Sequence, residues 1–191
     1  MHVPQTSLQV HAPRPEPAGT ASAPRSAATF ASQAEQLAME QVKALMLKVS
    51  AGDHFERLGA IVQEHLLTGG KKLRARMALA AARALEVRAD HGIGWAAACE
   101  LLHNASLVHD DLQDRDEYRR GRFCVWVRHG EAQAINAGDL MLMLPYTTVD
   151  HIDVDSGTKW QLSRALARRA EETVRGQSLE MTLLSSCRWD W

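Results

Sequence analysis

Apolar residues recur along most of this chain at the three- and four-residue spacings of amphipathic helices. From about residue 29, Leu37, Val42, Leu45 and Leu47 lie among Ala, Gln, Glu and Lys and predict a first helix. Phe55, Leu58, Ile61, Val62 and Leu66 predict a second over about 54–67, broken by Gly69-Gly70. An Ala-rich third helix is expected over 73–85. A fourth is expected over about 92–113, through Trp95, Leu101, Leu102, Ala105 and Val108, and a fifth over 131–148. The sixth, over 157–184, sets Leu162, Leu166, Ala170 and Val174 at four-residue steps. The one strand-like run is Cys124 to Val127. The pattern predicts an all-α bundle of rather long helices with no internal repeat.

Composition narrows this picture. A chain of 191 residues fits one domain or the larger part of one. Its 46% apolar content suits a globular core, and only 5% aromatic residues beside abundant Ala and Leu favour helices over strands. The formal charge of −1 argues against a general nucleic-acid binder, which carries a basic footprint. No apolar run reaches the ~20 residues that a membrane span needs. Cys99, Cys124 and Cys187 are odd in number and widely separated, which fits neither a disulfide framework nor a zinc site and points to a reducing, cytoplasmic setting. Residues 1–28 hold five of the six prolines among Ala, Ser and Thr, too little apolar surface to offset ordering. They read as a disordered tail, or as a transit peptide, since Arg14 and Arg25 face the single acid Glu16. Residues 29–191 read as one helical domain.

The candidate chemistry is concentrated between residues 69 and 122. Asp110 and Asp114 are four apart and share one helical face, with Asp111 one residue round. Such carboxylates suit Mg²⁺, which takes oxygen ligands and often only one or two from protein. An EF-hand is excluded, because its sixth position would be Arg115 and its twelfth Gly121. Arg119 and Arg120 follow, with guanidiniums that match phosphate oxygens, and Gly121 allows a turn. Upstream, Gly69-Gly70-Lys71-Lys72-Leu73-Arg74 opens a helix whose first turn is expected to carry Lys71 and Arg74 toward an anion. It lacks the spacing of a P-loop. His103 lies seven residues before Asp110, on nearly the same face. Taken singly, each feature also reads as an ordinary charged helix end, surface patch or hydrogen-bonded histidine. In order along the chain they describe two anion sites and a metal site.

These residues resemble the trans-isoprenyl diphosphate synthases, the polyprenyl synthetase family. Gly69 to Arg74 is similar to the family's isopentenyl diphosphate motif, and Glu100 to Asp114 to its first aspartate-rich motif. Arg119-Arg120-Gly121, Gly130 to Asp139 and Gly176-Gln177 extend the likeness, which covers about residues 32–184. The resemblance implies an isoprenoid-synthase-type helical bundle. It implies that Asp110 and Asp114, supported by Asp111, hold Mg²⁺ against an allylic diphosphate, and that Arg119 binds the same diphosphate. Lys71, Arg74, His103 and Arg120 would bind isopentenyl diphosphate. An allylic cation would form and be attacked head to tail by the isopentenyl double bond. Ser106 and Ala105, four and five residues before Asp110, are both small, which by the family pattern favours a C20 or longer product, as a geranylgeranyl diphosphate synthase makes.

The chain departs from the family in having no second aspartate-rich motif. The expectation is a C-terminally truncated member with exposed apolar surface and weak or absent activity alone, as a homodimer or in a heteromer with a full-length synthase. The rival readings are a non-catalytic partner or remnant of such a synthase and a terpene cyclase. The cyclase would have no use for Lys71 and Arg74.

Overall fold

The computed structural model describes residues 27–52 and 57–186, with side chains over 33–52 and 57–183. Phe55, Cys187 and the tail through residue 26 lie outside the described residues. Among the described residues, seven helices and one hairpin follow in order: α1 Ala27–Ala51, α2 Arg57–Leu66, α3 Leu73–Ala84, α4 Ala89–Gln113, β1 Tyr118–Arg119, β2 Arg122–Phe123, α5 Val125–His129, α6 Glu131–Asp150 and α7 Ser156–Ser186. The predicted all-α architecture is present, and each of the six predicted helices has its counterpart.

The helix α4 is the central element, packed against α1, α3 and α6. Its Leu101, Ala105 and Val108 are buried with Val42 and Met46 of α1, Val62 of α2 and Met141 of α6 in the main core. A second, smaller core joins Ala98 of α4, Val149 of α6 and Leu166 of α7, flanked by Trp95, Leu102, Tyr146 and Leu162. The four-residue stripe of α7 thus docks by Leu162 and Leu166, while Val174 further along is exposed. Trp160, Leu179 and Leu183 of α7 and Met143 of α6 are also exposed, so apolar surface of the expected kind is present. No helix among the described residues is long and apolar enough to cross a membrane.

Two elements differ from the sequence pattern. α4 begins three residues earlier than expected, through Gly92, in a stretch that Gly92 and Gly94 make a poor helix former. Packing explains both glycines. A Cβ on Gly92 would lie 3.0 Å from the Cβ of Ala82, and one on Gly94 would lie 2.5 Å from Ile152 Cγ1. The expected strand at Cys124–Val127 is instead the start of α5. In a strand Val125 and Val127 would share one face. Here Val125 is buried in the main core and Val127 is exposed, which a helical turn allows. The strand pairing falls just before it: Tyr118 opposes Phe123 and Arg119 opposes Arg122. Arg120 and Gly121 form the tip with φ of 54° and 75°, the both-positive geometry of a tight two-residue hairpin turn.

Candidate functional site

The C-terminal end of α4 is electrostatically unusual. Its last turn carries Asp110 and Asp111, Asp114 caps it, and no basic residue lies there. The helix dipole already makes that end negative, so these carboxylates call for compensating cations. One comes from the protein. Asp111 is buried, and its Oδ1 accepts from Arg119 Nε at 2.6 Å and faces Nη2 at 2.5 Å. That hydrogen bond and charge raise the Arg119 pKa. Asp111 therefore turns inward to fix a guanidinium, apart from the other two acids. Asp114 is exposed and half-buried Asp110 accepts from Gln177 Nε2 of α7 at 2.5 Å. The same amide donates to Gln113 Oε1 at 2.8 Å.

Among the described residues, no three His, Cys, Asp or Glu side chains form a closed metal cage. Two open carboxylates on a negative helix end nevertheless fit Mg²⁺, which commonly takes one or two protein carboxylates, with waters and substrate phosphates completing its shell. Asp110 and Asp114 are the residues that would hold it.

The glycine loop faces this end of α4 across the hairpin. Gly69 and Gly70 adopt φ of 92° and 102°, a region open chiefly to glycine. The Arg120 guanidinium lies on Gly70 and donates to the Gly69 carbonyl. A Cβ on Gly70 would overlap that guanidinium. The two motifs, 51 residues apart, are thus in direct contact. Arg74 and His103 line the adjoining cavity. Burial, followed by the charge of Arg74, lowers the His103 pKa, with Arg120 and Arg119 acting in the same direction. All three guanidiniums are therefore within electrostatic reach of one imidazole.

Three details at the loop were not legible in the sequence. Lys71 does not sit in the first turn of α3 but precedes its N-cap, Lys72; of the expected pair only Arg74 is in the helix. Lys72 has φ of 46° and is buried, and burial, opposed by Glu100, lowers its pKa. The N-terminus of α3 is also partly occupied. Buried Glu100 of α4 accepts the Ala75 N–H at 3.2 Å, so a protein carboxylate takes up some of the helix-end potential expected for a ligand. Glu100 also lies within reach of Asn104, which donates to its backbone carbonyl at 2.7 Å.

A cavity of about 790 Å³ opens between α4, α6 and α7. Arg74, His103, His109, Gln113 and Gln177 give it a polar rim, and Leu102, Leu142, Ala170, Val174 and Met181 an apolar wall. Along α4 it reaches Cys99, whose thiol burial pushes up to about 11. Asp110 lies eleven positions after Cys99, about 16 Å along the helix. Of the two small residues read as tunnel floor, Ser106 lines this cavity, while Ala105 is fully buried in the main core on another face. His109 reaches the rim because Gly138 of α6 leaves room for its ring, and it lies 3.5 Å from Asp139 Oδ1.

Comparison with known proteins agrees with this helical fold. The chain is 41% identical over 111 residues to a (2E,6E)-farnesyl diphosphate synthase of Mycobacterium tuberculosis, covering 58% of this chain and 30% of that protein. It is 35% identical over 113 residues to a geranylgeranyl diphosphate synthase of Methanosarcina mazei, covering 59% of this chain and 35% of that one. The chain thus spans about a third of the length of these curated relatives. Among solved structures, a geranylgeranyl pyrophosphate synthetase of Geoglobus acetivorans superposes with a TM-score of 0.70 at 31% identity, over 80% of this chain and 48% of that one. The enzyme of the same name from Pyrococcus horikoshii gives 0.73 at 27% identity, over 80% and 47%. Residues 55–189 match the polyprenyl synthetase family model, and the chain belongs to the polyprenyl synthetase family.

Proposed function

We propose that this chain carries the two diphosphate sites of a trans-prenyltransferase, which joins isopentenyl diphosphate head to tail with an allylic diphosphate. The carrying observation is the contact of Arg120 with Gly69 and Gly70 beside the acidic end of α4, at the rim of an apolar cavity. Lys71, Arg74, His103 and Arg120 hold isopentenyl diphosphate. Arg119, held by Asp111, grips the allylic diphosphate, whose hydrocarbon tail enters the cavity along Ser106, Leu102 and Val174. Asp110 and Asp114 would hold Mg²⁺, which would supply positive charge against the departing diphosphate. The protein's share is positioning and preorganised charge, which requires no nucleophilic side chain. The test is incubation of the chain with both diphosphates and Mg²⁺. Elongated prenyl diphosphate supports the reading; release of a cyclic hydrocarbon without consumption of isopentenyl diphosphate supports a cyclase instead.

A second reading, a non-catalytic partner of a related synthase, is favoured by exposed Trp160, Leu179 and Leu183 on α7. Stoichiometric co-elution with such a synthase and no turnover alone would support it.

Two substitutions probe the details. Gly70→Ala should displace Arg120 and weaken isopentenyl diphosphate binding about tenfold, the loss of one charge-assisted contact of roughly 1.5 kcal/mol. Binding of the allylic diphosphate should change little, and calorimetry of each ligand separates the two. For product length, we read the small Ser106 on the cavity wall as permitting a C20 or longer chain. Ser106→Phe should reduce affinity for geranylgeranyl diphosphate more than for geranyl diphosphate, as measured by competition.

A further inference from the structure

A second and much smaller pocket lies against Asp111. It holds about 20 Å³ and is walled by His65 of α2, Asp111, and Cys124 beside the hairpin. That is enough for one water molecule. His65 is 6% exposed and Asp111 only 1%. The Nε2 of His65 and the Oδ2 of Asp111 are buried without a hydrogen-bond partner of normal geometry, and the Cys124 thiol lies beside the same carboxylate. The other oxygen of the same carboxylate, Oδ1, is the one that holds Arg119. So one arm of Asp111 faces the guanidinium and the other faces the pocket.

The polarity of the pocket follows from what surrounds the imidazole. The Asn104 side chain is hydrogen-bonded to His65. Its amide nitrogen has two N–H groups, one on the Glu100 carbonyl at 2.7 Å and one toward Glu100 Oε1 at 3.5 Å, so its oxygen accepts and His65 donates. That fixes the proton on Nδ1 and leaves Nε2 an acceptor. Asp111 Oδ2 is also an acceptor. Two acceptors cannot bond each other, but one water with two O–H groups satisfies both.

We infer that His65 is a positioning residue for Arg119: through one buried water bridging its Nε2 and Asp111 Oδ2, it holds the Asp111 carboxylate so that Oδ1 faces the guanidinium. The ligand that Arg119 then meets, an allylic diphosphate, rests on the function proposed above; the relay itself does not. Nothing in the sequence pattern marks His65, which sits on the inner face of α2 among Ile61, Val62 and Leu66.

The experiment follows the Arg119 Nε–H by NMR in the whole 191-residue chain. In the native protein this proton, held on Asp111 Oδ1, is expected to exchange slowly with solvent. His65→Leu should speed its exchange about tenfold, the factor expected for loss of one net hydrogen bond. His65→Gln, which returns a polar group near the Nε2 position, should restore it. Unchanged exchange in His65→Leu, or no rescue by His65→Gln, overturns the inference. A high-resolution crystal structure of the native chain adds a check that needs no variant. Water density within hydrogen-bond distance of both atoms is expected, and an empty pocket overturns the relay. If exchange responds as predicted while affinity for a Mg²⁺–allylic diphosphate stays constant, the relay stands and the assignment of Arg119 to that ligand falls.

Discussion

Replacing Asp110 and Asp114 together by Asn is expected to lower Mg²⁺-dependent affinity for an allylic diphosphate by at least ~100-fold, about 2.8 kcal/mol at 1.4 kcal/mol per decade. The reasoning starts from α4. Its C-terminal end combines the negative dipole potential with Asp110, Asp111 and Asp114, and only Asp111 has a guanidinium partner among the described residues. Loss of an outer-shell partner of a metal ligand typically costs about 10–100-fold, so loss of both ligating charges should exceed it. The fold should not suffer, because Asp114 is exposed and removing like charges from a negative helix end relieves repulsion. The double variant should therefore unfold at the same or a higher urea concentration while calorimetry shows its Mg²⁺ dependence gone. Equal affinity with and without Mg²⁺ in the native chain would remove the basis for the metal site.

The second large effect concerns acid. Burial lowers the His65 pKa from 6.5 to about 4, against the opposing pull of Asp111. The unfolded chain, with an ordinary histidine, binds the proton first as pH falls. The stabilisation from neutral His65 is thus fully present above pH 6.5 and is lost as pH falls from there toward 4. The loss over this window should be roughly 3 kcal/mol. Carboxylates titrate in the same range, so the comparison that isolates His65 is with His65→Gln. Urea midpoints at pH 7 and pH 4.5, read as approximate limits of the window, should diverge less in the variant than in the native chain. Parallel acid losses in both would show that His65 is not held neutral.

Much of the architecture was legible because it depends on periodicity. The stripe of Leu162, Leu166 and Ala170 marked α7, and Gly69-Gly70 marked the break between α2 and α3. The motifs were legible in the sequence, and the structure sets Arg120 on Gly69 and Gly70 and Arg119 on Asp111 at the end of α4. What was not legible depends on contacts between distant segments. Gly92 and Gly94 look like helix breakers until Ala82 and Ile152 are seen against them. Asp111 looks like a support for the Asp110–Asp114 pair until Arg119 is found on its carboxylate. Lys72 looks like one more surface cation, yet it is buried beside Glu100. Ser106 and Ala105 look equivalent, but one residue is 100° of helix, enough to put one in the cavity and the other in the core.

The central claim is that one chain holds two separate diphosphate sites, one built on Asp110, Asp114 and Arg119 and the other on Lys71, Arg74, His103 and Arg120. Its most direct test is calorimetric titration of isopentenyl diphosphate into chain already saturated with Mg²⁺ and an unreactive allylic diphosphate analogue. A second, one-to-one binding event that disappears in Arg74→Ala and Arg120→Ala but survives Asp114→Asn is predicted. Displacement of the analogue by isopentenyl diphosphate, with no second event, would contradict it.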